Sequence, residues 1–202
     1  MHCSPNAERR PSRTGPRLLL MACSLALLAP EPALPAPAAA EPGFRVRSAD
    51  VRLNNGVYFL DTRIVFDFSA EAVEAMENGV TLTVLIDVEV FRQRALWDRK
   101  ILSRQSRFDV GVHALSKKYV VKKLDAGETQ TYRSIEEMAA ALGTIEHLPL
   151  FDASGLDTGN TYTARVRARL DIEALPSPLR PLAYVSQAWR LASEWYELPL
   201  VQ

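Results

Sequence analysis

Cysteine is nearly missing from this chain. Its 202 residues include two, Cys3 and Cys23, both ahead of residue 41, so no disulfide or thiol chemistry is available beyond that point. Histidine is scarce as well. After residue 41 only His113 and His147 remain, far apart and with no second ligand at metal spacing, which argues against a zinc site or a His-based triad. Neither sign of charge dominates: 24 basic residues face 24 acidic ones, and setting aside the first 40 residues leaves the balance near neutral. A general nucleic-acid binder would carry a basic excess. No GxSxG elbow, phosphate loop or dinucleotide fingerprint occurs, so no catalytic residue and no cofactor or metal ligand is assigned. Long apolar runs are lacking too. The longest, Leu18 to Ala29, is twelve residues and too short to span a bilayer of ordinary thickness.

That apolar run sits in a leader. Arg9, Arg10, Arg13 and Arg17 precede it, and a Pro/Ala stretch follows, ending in Ala38-Ala39-Ala40. The pattern predicts a Sec-type signal peptide over residues 1–40, cleaved near Ala40, and hence a periplasmic protein with no stable membrane span once processed. Leu20-Met21-Ala22-Cys23 leaves lipid attachment at Cys23 as an alternative, although the apolar run continues past the cysteine. Residues 41–202 are of the right length for a single domain.

Alternation dominates that domain. Val80, Leu82, Val84, Ile86, Val88 and Val90 alternate with Thr81, Thr83, Asp87 and Glu89, and only Leu85 breaks the polar phase. The pattern resumes at Phe108, Val110 and Val112, which predicts two long antiparallel strands as the spine of the fold. Tyr162 to Ile172 alternates without interruption, with Arg165, Arg167 and Arg169 on the outer face. Upstream, Phe44–Leu53 changes phase near Ser48-Ala49, the mark of a bulge. Asn54-Asn55-Gly56 then turns the chain into a strand over 57–68. A second hairpin turns at Asp125-Ala126-Gly127-Glu128. Ser69 and Ser134 cap two short helices, closed by Asn78-Gly79 and by Gly143. Residues 144–159 read as irregular apart from a short extended piece. The tail fits either a helix, on Leu182, Val185, Trp189 and Ala192, or a strand, on Trp189, Leu191, Ser193 and Trp195; its aromatic, Pro-bounded composition favours a helical turn near 179–185 and a strand near 188–198. The fold class expected is mainly β: a two-sheet antiparallel sandwich of immunoglobulin-like size, with two short connecting helices.

Two clusters of polar residues invite a functional reading. Asp87 and Glu89 share the wet face of one strand, where a cross-strand ladder with Arg165, Arg167 and Arg169 explains them better than a glycosidase pair, which needs carboxylates facing across a cleft. The second cluster is RQRALWDRK, residues 92–100, at the tip of the spine hairpin. It holds Arg92, Arg94, Arg99 and Lys100 against one acid, Asp98, with Leu96 and Trp97 in the middle. Arg and Trp are frequent at contact hot spots, and loops on rigid sheets commonly carry binding. The rival reading folds Trp97 back onto the sandwich edge and uses the cations to guard that edge.

Four short motifs carry a resemblance: Glu77-Asn78-Gly79-Val80, Arg94 to Trp97-Asp98, Ala114-Leu115-Ser116-x-x-Tyr119, and Trp189-Arg190-Leu191-x-Ser193-Glu194-Trp195. In these the chain resembles secreted bacterial proteins of the domain-of-unknown-function family 4390, also called proline-rich signal peptide proteins, over roughly residues 44–198. The resemblance implies a Gram-negative envelope location and supplies no activity and no catalytic residue. It further implies an accessory role beside a membrane sensor kinase of the nitrogen-regulation type.

The expectation is therefore a non-enzymatic periplasmic interaction module. It would contact an envelope protein, such as the extracytoplasmic part of a sensor kinase, through Arg92, Arg94, Trp97, Arg99 and Lys100. The alternative is a small-ligand or lipid carrier with a cavity between the sheets.

Overall fold

The computed structural model describes residues 42–200 apart from 158, so the expected leader lies outside the described residues. Nine strands form two antiparallel sheets. The first holds β1 (Gly43–Asn54), β2 (Val57–Asp67) and β7 (Thr144–Asp152), in the order β1-β2-β7. The second holds β3 (Leu82–Arg92), β4 (Arg99–Val112), β5 (Tyr119–Lys123), β6 (Glu128–Tyr132), β8 (Tyr162–Leu170) and β9 (Tyr196–Leu200), in the order β6-β5-β4-β3-β8-β9. This is a two-sheet antiparallel sandwich, as the alternation implies. Three helices connect it: α1 (Ala70–Glu77), α2 (Ile135–Leu142) and α3 (Arg180–Val185). None of the described helices is long and apolar enough to cross a membrane.

The core follows the period-two pattern. Val84, Ile86, Val88 and Val90 of β3 face Leu60, Phe66 and Tyr58 of β2 across the sheets, joined by Val166 and Ala168 of β8, and all are buried in one cluster. The β1–β2 hairpin turns through Asn55 (φ 49°) and Gly56 (φ 79°), the two left-handed residues that match the twist of the flanking strands. The β1 bulge falls between Val46 and Ser48, close to its expected place. It brings the Ser48 carbonyl within 2.8 Å of the buried Thr62 hydroxyl, which satisfies a polar group on the core face.

The α1 terminus explains one of the sequence motifs. Gly79 (φ 87°) donates to the Met76 carbonyl at 3.0 Å, and Val80 donates to the Ala75 carbonyl at 2.9 Å. These two bonds form the Schellman pair, which only a residue free to adopt positive φ closes cheaply. Gly143 ends α2 for a different reason. Its φ of −76° is ordinary, but a Cβ there would stand 2.0 Å from the Ile64 carbonyl oxygen of β2. The close approach is what lets Ile64 donate to the Gly143 carbonyl at 2.8 Å, tying α2 to the first sheet.

Two expectations are corrected. Residues 144–152 form a full edge strand, β7, and not an irregular segment. Pro149 and a left-handed His147 (φ 53°) spoil the alternation, and both are tolerable because β7 has a neighbour on one side only. The last strand begins at Tyr196, later than expected. Residues 187–189 make a 3-10 turn that buries Trp189, and 191–193 touch β8 through an isolated bridge between Arg169 and Ala192. The helical turn expected near 179–185 is present as α3.

Candidate functional site

The outer face of the larger sheet holds the carboxylate ladder. Register places Asp87 of β3 between Gln105 of β4 and Arg167 of β8. Gln105 Nε2 donates to Asp87 Oδ1 at 2.7 Å, while Arg169 Nε and Arg167 Nη2 donate to Oδ2 at 2.7 and 3.0 Å. Trp195 lies against the Arg167 guanidinium at 4.3 Å, and Phe91 against Arg165 at 4.4 Å. Asp87 is thereby only 8% exposed, although it points away from the core. Burial pushes its carboxyl pKa up, but the hydrogen bonds from Arg169, Gln105 and Arg167 outweigh that and hold it below the ordinary 3.8. A carboxylate kept ionised by two guanidiniums is a poor proton donor and a poor base, so the ladder is an assembly of the fold. Of the three arginines expected in this ladder, Arg167 and Arg169 reach Asp87, whereas Arg165 pairs with Glu197 at 2.9 Å and Glu89 with Lys100; Gln105 and Trp195 were not foreseen.

The two histidines lie apart, His113 after β4 and His147 in β7, and the Ser116 hydroxyl stands 3.3 Å from His113 Nδ1. The His113 ring accepts from the Ser116 amide at 3.4 Å and closes the β4–β5 turn. His147 takes Asp61 Oδ1 on its main-chain amide at 2.8 Å. Among the described residues no three His, Cys, Asp or Glu side chains converge as metal ligands.

The hairpin tip differs from both. Its base is fixed: the Gln93 amide donates to the Thr161 carbonyl at 2.9 Å, and Gln93 Nε2 to Thr163 Oγ1 at 2.8 Å. Arg92 spans from β3 to the loop before β8, donating to Asp157 Oδ2 at 3.1 Å and Asn160 Oδ1 at 2.6 Å. That same loop caps the buried Tyr162, whose hydroxyl accepts from the Asp157 amide at 3.0 Å. Arg92 is therefore a positioning residue for the tip. Lys100 pairs with Glu89 at 3.0 Å and stays half exposed. Beyond these anchors the loop projects into solvent: Leu96 is 85% exposed and Trp97 70%. Trp97 does not fold back onto the sandwich edge. Arg94 and Arg99 stand exposed beside it, with no side-chain partner among the described residues.

The other three motifs meet at the opposite end of the hairpin. The Tyr119 hydroxyl donates to Glu77 at 3.2 Å, joining the β4–β5 turn to the end of α1. The 3-10 turn carrying Trp189 packs against α1. Ser193 Oγ accepts from the Ala168 amide at 3.0 Å and fills the gap between β8 and the tail.

The all-antiparallel arrangement, with an exposed aromatic at a hairpin tip, defines a two-sheet β-sandwich domain. The family model described as a domain of unknown function (DUF4390) matches residues 41–199, and the chain belongs to that family. No curated protein and no solved structure compared with the chain matches it.

Proposed function

We propose that this protein is a non-enzymatic periplasmic interaction module that docks on an envelope protein, such as the extracytoplasmic part of a sensor kinase, through the 92–100 tip. The observation that carries the reading is the exposure of Leu96 and Trp97 on a loop whose base is held by Gln93 and Arg92. A large aromatic left in water on a pre-organised support has little ordering entropy left to lose when a partner covers it. Arg94, Arg99 and Lys100 around it supply a charged rim. The test is recovery of envelope partners by the Trp97→Ala/Arg99→Ala double variant. Loss of a partner that the parent protein retains supports the reading, and unchanged recovery of every partner sinks it.

A carrier role is the second reading, favoured by one groove. It has a volume of about 350 Å³, lies between β4–β6 and α2, and has Phe108, Val121 and Leu142 on its floor and Lys123, Glu128 and Tyr132 at its rim. The space between the sheets is occupied by side chains such as Tyr58, Leu60, Met76 and Tyr162, so a ligand would sit at this flank and not in the centre. Native mass spectrometry of the protein purified without denaturant decides it, because a carrier shows a bound mass that Leu142→Arg removes.

A further inference from the structure

The β3–β4 hairpin has a second property, and it lies along its side. β3 accompanies β4 from Arg99 to Val110, whereas β5 reaches only from Val112 to Phe108 on the other flank. The last bond on that flank runs from the Leu124 amide to the Arg107 carbonyl at 3.0 Å. Among the described residues no strand pairs with the same flank of residues 99–106. Main-chain groups in a strand alternate sides, so the Arg107 carbonyl, which faces away from β3, fixes the direction of its neighbours. The amides and carbonyls of Gln105 and Ser103 also point off the sheet. A bulge in β4 at Ile101, the residue left unpaired between Leu102 (opposite Val90) and Lys100 (opposite Phe91), ends the regular phase near the tip. The result is a slot of roughly 25 Å along β4.

The slot has a chemical character. Residues 99–107 read RKILSRQSR, with four cations and no acid. Its length is marked by exposed apolar groups: Leu124, 40% exposed, at the β5 end, Ile101, 37% exposed, within it, and Trp97 at the tip. A strand that merely guards an edge needs the charges but has no use for the apolar side chains. The other end strands of this sheet differ. β6 reads ETQTY with no cation, and β9 carries Pro199.

We infer that β4 accepts an extended acidic segment of a partner protein as an added strand along residues 99–106, with apolar side chains of that segment against Ile101 and Trp97. This rests on the reading of the tip as a contact surface and adds the partner's conformation and charge. Main-chain bonds to Ser103 and Gln105 supply the attachment, and Arg99 and Arg107 select the charge, whereas Arg104 is turned to β7 and donates to the Leu150 carbonyl at 3.1 Å.

The test uses the full-length protein and two short synthetic peptides, one alternating Glu with Val and the other Lys with Val. The acidic peptide slows amide exchange at Ser103 and Gln105 by roughly tenfold or more and changes Trp97 fluorescence, while the Lys peptide does neither. Ser103→Pro removes an outward amide without costing a bond to β3, and it weakens binding by roughly tenfold. N-methylation of alternate residues in the acidic peptide has the same effect and leaves the protein untouched. Equal binding of both peptides overturns the proposal, as does the absence of protection at Ser103 and Gln105. Binding that reports at Trp97 and survives both Ser103→Pro and N-methylation leaves the tip reading standing and removes strand addition. A response of Trp97 to anionic phospholipid vesicles, with none to peptide, assigns the hairpin to a membrane surface and overturns both.

Discussion

At one end of the β3–β4 hairpin, Trp189 is buried and Tyr119 is bonded to Glu77; at the other, Leu96 and Trp97 are left in water. Trp189 is 4% exposed and wedged against α1, and Trp195 covers Arg167, so two of the three tryptophans are spent on the fold. Both ends border the same pair of strands, β3 and β4. What separates them is that one end is covered by other described residues and the other is not. The tip is fixed at its base by Gln93 and Arg92, and among the described residues none covers its aromatic, which is what the proposed docking role requires.

The largest break in this comparison comes from emptying the packed end. Trp189→Ala leaves a void beside α1 and costs about 3–5 kcal/mol in chemical denaturation. Gly143→Ala comes next. Its methyl group meets the Ile64 carbonyl and forces α2 off the first sheet, for a loss of about 3 kcal/mol and a melting temperature lower by roughly 10 °C. Asp87→Asn follows, with about 1–2 kcal/mol lost at neutral pH, because Arg167 and Arg169 lose their anion but remain partly solvated. Its pH dependence sharpens the point. The folded-state pKa of Asp87 lies below its unfolded value, so its stabilisation is full above the unfolded value near 3.8 and disappears as pH falls through the lower folded one. Denaturation followed from neutral to acid pH shows a steeper loss in the parent than in Asp87→Asn. Smallest of all is Trp97→Ala, whose stability stays within about 0.5 kcal/mol of the parent. A drop comparable to that of Trp189→Ala would mean that the tip is packed and that the contrast between the ends is false.

Much of this architecture is legible in the residues, and the reasons for the rest are physical. β3 and β8 are buried on one face and partly wet on the other, so their alternation is clean; even Leu85, the exception, is covered by the outer-face ladder. β7 hides because an edge strand tolerates Pro149 and the twist at His147, and both erase the period on which strand reading depends. The tail misleads because Trp189, Leu191 and Ser193 share a parity without sharing a strand: each is buried by a different contact. Gly143 reads as a helix stop, although its role is the approach of Ile64, a contact that only the fold brings about. Of the candidate site residues, Arg92 and Lys100 turn out to be tied to Asp157, Asn160 and Glu89. Arg94, Trp97 and Arg99 remain outward. Sequence can place Trp97 at a hairpin tip, but whether the ring lies on the sandwich or in solvent depends on the loop's path.

The central claim is that Trp97 faces a partner. The most direct measurement is photo-crosslinking in living cells from a probe at position 97, with export checked in the same cells and a second probe at position 189 as the packed control. One specific envelope protein trapped from position 97 and nothing from 189 is the predicted result. Correctly exported protein that traps no partner from position 97 would contradict the account.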